Sequence, residues 1–339
     1  MFYKSIIQGR LDFGTSKSFD KVLKMYEYRV ENYHKNEILF KAEDIFFQDT
    51  TSMDIPRFVG NIMEKSYKGT VDLLEYCVQF AVNGTVRAWL IDNGEVMHYH
   101  LMEPKSDKAA VQSYLKGKQY VKVAGKQEKA IEELSKAIEK YDKHAQAYER
   151  RGKTCFMMKK YSDAMRDYNK CISIDPTIPH AYYGRARVNL LNAAWEEAIG
   201  DLDHTIKKSV ALEAIHWKAR RLKGHAHFML GQLDEAIFEL KLYTTRKFKP
   251  DDSNSDWKRW GFYYYGLTLL EKESYIEAIA AFDEADKFSE RNDGINKVDI
   301  IRNKGISKIK GGKNGGIKDL KEAITLGDKV AETFLKNRK

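Results

Sequence analysis

A small α+β domain followed by an all-α solenoid of stacked helix pairs is the fold this sequence predicts, and three observations carry it. A Gly or Ala recurs with an Ala twelve positions later, at Gly152/Ala164, Ala186/Ala198, Gly224/Ala236 and Gly266/Ala278. The first 105 residues lack that pattern and instead carry alternating apolar runs around Asn93-Gly94. Only five prolines interrupt 339 residues, as long helices require. Small residues at fixed spacing let two helices approach closely. Self-similarity of this kind means units that bury their faces only against their neighbours.

From the N-terminus, residues 2–14 alternate well enough for a strand. Residues 19–34 place Phe19, Val22, Leu23, Tyr26, Val30 and Tyr33 at helical spacing, with Ser18 expected as N-cap. Residues 37–47, EILFKAEDIFF, are expected to be a strand, and a polar loop containing Pro56 to follow. A second helix is expected over 66–84, with Val71, Leu74, Cys77, Val78 and Ala81 as its stripe and Gly84 as its end. Two runs in 85–103 flank Asn93-Gly94, a hairpin signal because both residues tolerate positive φ. The expected organisation is a domain over 1–105 ending in this hairpin, a junction at Pro104–Asp107, and a helical array over 106–339 closed by a capping helix.

Within the array each repeated Ala has a large apolar residue three positions before it (Tyr161, Trp195, Leu233, Tyr275) and another four after it (Tyr168, Leu202, Leu240, Phe282). A weaker copy precedes these at Gly117, Ala130, Leu134 and Ala137. A degenerate one follows at Gly305, Gly316, Leu320 and Ala323. From Ala130 the register steps 34, 34, 38 and 42 residues through Ala164, Ala198, Ala236 and Ala278. The longest excess falls where RKFKPDDSNSD (246–256) reads as an inserted loop, with Ser255 or Asp256 capping a helix that starts near Trp257.

The stretches 161–176, 195–206, 233–240 and 275–285 resemble second helices of the tetratricopeptide repeat, and 147–160, 181–191, 217–231 and 260–272 resemble its first helices. The resemblance covers roughly 108–330. It implies five to six helix-turn-helix units in a right-handed superhelix, with first helices lining a concave groove and the residue after each Gly/Ala pointing into it. Here those residues are Lys118, Lys153, Arg187 and His225, a column that is cationic or can become so. Tyr183, Arg221 and Tyr263, two turns earlier in the groove, would add stacking and hydrogen-bonding surface. Such a groove favours an acidic segment or a terminal carboxylate. The Asn pair that accompanies the carboxylate clamp of the chaperone-binding subtype is missing.

Composition bounds the function further. The chain is 43% hydrophobic and 32% charged, an ordered and helix-rich balance. Its net charge of +9 is uneven: residues 1–105 hold 13 Lys+Arg against 15 Asp+Glu, and the rest hold 45 against 34. The basic array suits an acidic protein face or, as the alternative, nucleic acid or a ribosome. The start, MFYKSIIQGRLDFG, has no apolar run of signal-peptide length, and no stretch reaches a membrane span, so a cytoplasmic protein without membrane insertion is expected. Cys77, Cys155 and Cys171 read as buried thiols of a reducing compartment.

Chemistry-bearing motifs are sparse. His98 and His100 share a strand face at a metal-site spacing, but no third ligand follows. The run GGKNGG (311–316) lacks the phosphate-loop arrangement and falls where a helix turn belongs. Asp252, Asn254 and Asp256 alternate as in a calcium loop, yet position twelve from Asp252 is Tyr263. The expectation is a non-enzymatic scaffold or adaptor with no cofactor and no metal, binding a partner protein or acidic peptide.

Overall fold

A computed structural model describes residues 1–33, 37–290 and 293–337. The chain divides into two compact units, Met1–Gly184 and Arg185–Lys339.

The first unit opens on a five-stranded antiparallel sheet in the order β2-β3-β1-β4-β5. Its strands are β1 (Phe2–Asp12), β2 (Phe46–Phe47), β3 (Ser52–Met63), β4 (Asn83–Asp92) and β5 (Glu95–Met102). Helices α1 (Ser16–Tyr33) and α3 (Glu64–Val78), with the one-turn α2 (Ala42–Ile45) between them, complete this layer. The core is made of Ile7, Leu11, Met53, Ile55, Val86, Ala88 and Leu90 from the sheet, Phe19, Val22 and Tyr26 from α1, and Tyr67, Leu74 and Cys77 from α3. Every second residue of a strand faces one side, so these positions follow from strand periodicity. The hairpin between β4 and β5 turns at Asn93 (φ 48°) and Gly94 (φ 86°), both in the left-handed region as expected.

Four sequence expectations need correction here. Residues 37–47 are not a strand: only Phe46–Phe47 pair with β3. The Tyr26 hydroxyl donates to the Phe40 carbonyl (2.7 Å), and Leu39 N–H donates to Thr70 Oγ1 (3.2 Å), so side chains rather than a ladder hold this run. The polar loop around Pro56 is instead β3, which pairs with β1 along its length. Pro56 is tolerated because the register shifts between Ile7 and Gly9, and the Arg57 guanidinium binds Gln8 there (2.7 Å). The cap of α1 is Thr15, not Ser18: its Oγ1 accepts from Ser18 N–H (3.2 Å). Helix α3 stops at Val78, and Gly84 lies in β4, where Leu11 and Asp12 pair with Gly84 and Asn83. Val82 N–H donates to Asp12 O (2.8 Å) and starts that ladder.

The unit continues into α4 (Ala109–Val121), α5 (Gln127–Lys140), α6 (Ala145–Met157), α7 (Tyr161–Ile174) and the start of α8 (Pro179–Leu191), within which the division falls. The second unit holds the end of α8, then α9 (Trp195–Lys208), α10 (Ala214–Met229), α11 (Leu233–Thr245), α12 (Lys258–Glu271), α13 (Tyr275–Asp286), α14 (Lys297–Lys310), α15 (Gly316–Thr325) and the closing α16 (Lys329–Lys336). Six helix pairs therefore run through the described residues before the final helix. The 311–316 run is the turn between α14 and α15.

The small residues do what their spacing predicts. A Cβ at Gly152 would touch the Tyr168 ring at 3.0 Å, one at Gly224 would meet Leu240 at 2.6 Å, and one at Gly266 would meet Phe282 at 2.7 Å. Each first helix thus receives the large side chain of its second helix in the notch left by a missing side chain. Ala164, Ala198, Ala236 and Ala278 are fully buried. The turns repeat too: a left-handed residue stands at Gly125, Lys159, Ala193, Gly231, Glu273 and Gly312.

The inserted loop is real but its cap is different. A short 3-10 turn, Ser255–Trp257, leads into α12, and no side chain caps that helix. Ser255 instead donates to Asp252 O (2.7 Å). Asn254, fully buried, holds the loop: its side-chain amide donates to Ala214 O (3.0 Å), and its carbonyl accepts from the Tyr243 hydroxyl (2.7 Å).

Candidate functional site

Residue types that serve the fold must first be separated from those that are left over. In each unit, the residue before the small position pairs with the residue before the large one. Arg151 makes a forked contact with Asp167 (2.8 and 2.9 Å) in the first unit. Arg185 does the same with Asp201 (2.7 and 3.0 Å), and Lys223 reaches Glu239 (3.0 Å), in the second. These pairs bind first helix to second helix. These pairs are not among the expected binding residues, although a cation sixteen residues before an acid recurs with the repeat.

In the first unit one expected binding cation, Lys118, is already engaged next to the sheet, and two further contacts tie helices to that region. Lys118 on α4 pairs with Glu103, just beyond β5. Tyr141 donates to Asp12 of β1 (2.7 Å), and Lys108 Nζ donates to Phe80 O (2.5 Å). Lys153 on α6 lies near His180, with Glu149, Arg150 and Arg87 of β4 in the same electrostatic neighbourhood. Burial and these cations push the His180 imidazole down to about 4, so it is neutral at neutral pH. Tyr183 stands on α8, half-buried.

In the second unit the corresponding positions gather aromatic rings. Arg221 on α10 lies 4.3 Å from the ring centre of Trp257 and 4.8 Å from that of Trp260. His225, one turn on, packs against Tyr264 (4.6 Å), Trp260 (5.1 Å) and Trp195 (6.0 Å). Phe228 extends the cluster to Tyr264 (5.9 Å). Burial and Arg221 together lower the His225 imidazole to about 4, so this member of the column carries no charge near pH 7. Arg187 lies on the second-unit part of α8, half-buried. Tyr263 on α12 is buried, and its hydroxyl accepts from Asn303 Nδ2 (3.3 Å). Trp260 and Tyr264, six and two residues before Gly266, were not singled out by sequence. Trp195, one of the large apolar residues of the repeat, is half-buried. The run WGFYYYG in α12 was the available signal.

Lys258 is a further group that spacing did not reveal. It donates to the carbonyls of Thr244 and Tyr243 at the end of α11 and lies over the Phe248 ring (5.1 Å). Burial lowers its ammonium to about 8. It closes a helix terminus whose last carbonyls lack intrahelical donors.

The remaining chemistry is limited. All three cysteines are buried free thiols; burial pushes Cys77 up to about 12 and Cys155 up to about 11, so neither is a ready thiolate. No group of three metal-binding side chains occurs among the described residues. His100 lies 3.6 Å from Glu75 and beside the Tyr67 ring. No helix among the described residues is long and apolar enough to cross a membrane.

A run of antiparallel helix pairs with small residues at the crossings defines a helical-repeat protein. More narrowly, residues 145–178 match the tetratricopeptide repeat model. Two solved structures share the fold. One is YrrB, described as a TPR protein with an unusual peptide-binding site, at 18% identity over 60% of this chain and 97% of that one, with a TM-score of 0.50. The other is PilF of Pseudomonas aeruginosa, at 14% identity over 69% of this chain and 99% of that one, with a TM-score of 0.52. No curated protein matches. The run of helix pairs that follows the N-terminal α+β layer therefore shares its fold with these repeat proteins, and the family match itself lies at residues 145–178.

Proposed function

We propose that this protein is a non-enzymatic adaptor whose repeat array captures another protein through an acidic, extended segment. The observation that carries this reading is the arginine and aromatic patch on α10 and α12. Arg221, itself buried, lies against the indoles of Trp257 and Trp260, His225 packs on Trp260 and Tyr264, and Phe228 packs on Tyr264. Rings with few rotamers lose little entropy on binding, and the half-buried His225, Phe228 and Tyr264 are the members of this patch within a partner's reach, with the buried Arg221 supporting them. Arg187 adds charge on α8, and in the first unit Lys153, Tyr183 and Lys118 occupy corresponding first-helix positions. Tyr263, which is buried, supports the patch by packing against Tyr264. YrrB, with the same fold, is described as binding a peptide.

Residues 1–105 serve in this reading as a module that anchors the array, with the Glu103–Lys118 and Asp12–Tyr141 contacts as the fastening. The excess of Lys and Arg beyond residue 105 steers acidic partners toward the helices. Buried, unpaired cysteines fit a reducing, cytoplasmic setting.

The double charge reversal Lys153→Glu with Arg187→Glu tests the reading. Capture of partner proteins by the full chain is expected to be lost while helicity is kept; retained capture removes the proposal. An RNA gel shift whose affinity falls steeply with salt would instead favour the nucleic-acid alternative carried by the same charge.

A further inference from the structure

The two edges of the sheet differ in a way the adaptor reading does not use. On one side β2 is two residues long and covers only Ser52 and Met53, and the rest of that edge, in β3, carries Pro56, Arg57 and a register shift against β1. Short length, proline and irregular register are the devices by which proteins blunt an edge. On the other side β5 is eight residues long and pairs with β4 alone. Its sequence, EVMHYHLM, has no Lys, Arg or Pro. Val96 is 41% exposed, Met97 42% and Leu101 48%, and Tyr99 is exposed as well while stacking on Trp89. Among the described residues no backbone hydrogen bond to any strand or loop other than β4 involves Val96, Met97, His98, His100 or Leu101. The only irregularity lies near the hairpin, between Leu90 and Ile91, and leaves His98–Met102 in plain register.

We propose that β5 is the docking edge for β5 of a second copy of this chain, joining two sheets edge to edge in antiparallel register about His100. The occupant is a second copy because the strand is self-complementary. A two-fold axis at His100 sets Tyr99 against Leu101 of the partner subunit on one face, and the reverse pair beside it, an aromatic–aliphatic cross-strand match. No fixed charge lies between Val96 and Met102, so like charges do not meet at the centre. At the ends the same register brings exposed Glu95 toward Lys105 of the partner subunit, which pairs opposite signs twice. The symmetry is that of an isologous dimer, the commonest closed form. One short strand pair buries less than a standard interface, so dissociation constants on the order of 10 µM are expected.

Sedimentation of the full chain across that range tests the proposal. The protein is expected to pass from monomer to dimer as concentration rises. Leu101→Lys, at an exposed position, is expected to weaken dimerisation at least tenfold with circular dichroism and melting unchanged. His100→Cys is expected to give a disulfide-linked dimer under mild oxidation, while Val59→Cys on β3 stays monomeric. A wild-type chain monomeric at every concentration overturns the proposal. So does a dimer indifferent to Leu101→Lys, a His100→Cys chain that fails to cross-link, or an edge that captures only extended segments of other proteins.

Discussion

The unit Met1–Gly184 and the unit Arg185–Lys339 use the same first-helix positions differently. In the first, Lys118 on α4 answers Glu103, while Tyr141, just past the second helix α5, answers Asp12, so helices are tied to the sheet. In the second, Arg221, His225 and Trp260 pack on one another, and contacts run between neighbouring helices. The contrast teaches that one repeat register can tie helices to a sheet in one place and gather a largely buried arginine–aromatic cluster in another. What decides is which side chains the chain itself brings against those positions.

The sharpest way to break this comparison is to remove a packing residue from each region. Phe282→Ala empties a fully buried site between α12 and α13 and is expected to cost about 3–5 kcal/mol. Hydrogen exchange should show the loss concentrated in α12, α13 and their neighbours. Leu11→Ala in β1 should instead lower protection across the whole sheet. Equal spreading in both variants would end the distinction.

A second test addresses the cation–acid pairs. Asp201→Ala leaves Arg185 and Asn189 without their shared carboxylate and is expected to cost about 1.5–3 kcal/mol in urea unfolding. No loss would mean that the pair is only a surface contact.

Acid stability sharpens the comparison further. Burial lowers His144 to about 3, well below its ordinary value of 6.5. The folded state therefore binds fewer protons than the unfolded one between those values. Stability is fully present above pH 6.5 and is lost as pH falls toward 3, by about 2 kcal/mol at pH 5 from this fully buried residue. His144 caps α6 by accepting from Ala147 N–H, a role that Asn can take. His144→Asn is expected to flatten the pH dependence between 6.5 and 5 in the first unit. The contributions of His180 and His225, lowered in the same direction, should remain.

The smallest expected effect lies in the turns. Lys159, Ala193 and Glu273 hold the left-handed conformation that Gly231 and Gly312 hold elsewhere in the repeat. Changing any of the three to Gly is expected to raise stability by about 0.5–1 kcal/mol, and Gly231→Ala to lower it by a similar amount. Thermal melts of the single variants decide it.

These contrasts also explain what could be read from the chain before its structure. The helix pairs were legible because Gly152 and Tyr168, or Gly266 and Phe282, meet within one repeat, and a local contact leaves a periodic trace. The Asn93-Gly94 hairpin was legible for the same reason. Strand β3 was not, because its pairing with β1 spans some fifty residues and its own sequence carries Pro56 and Gly60, which read as loop. The cap at Thr15 and the uncapped start of α12 were not legible because a cap depends on where the neighbouring segment lands. At the candidate site, Arg221, His225 and Tyr263 could be placed by register. Their surroundings could not: the neutral state of His225 follows from rings on α9 and α12 that spacing alone does not bring together.

The claim on which the functional account turns is that first-helix positions of the array recognise an acidic segment. Panning a random peptide phage library on the full chain tests it most directly. The account predicts an acidic consensus whose binding changes tryptophan emission, since four of the five tryptophans (Trp195, Trp217, Trp257 and Trp260) lie in the second unit, and whose capture is lost with Lys153→Glu and Arg187→Glu. Enrichment of basic or charge-indifferent peptides, or binding untouched by the double reversal, would contradict it.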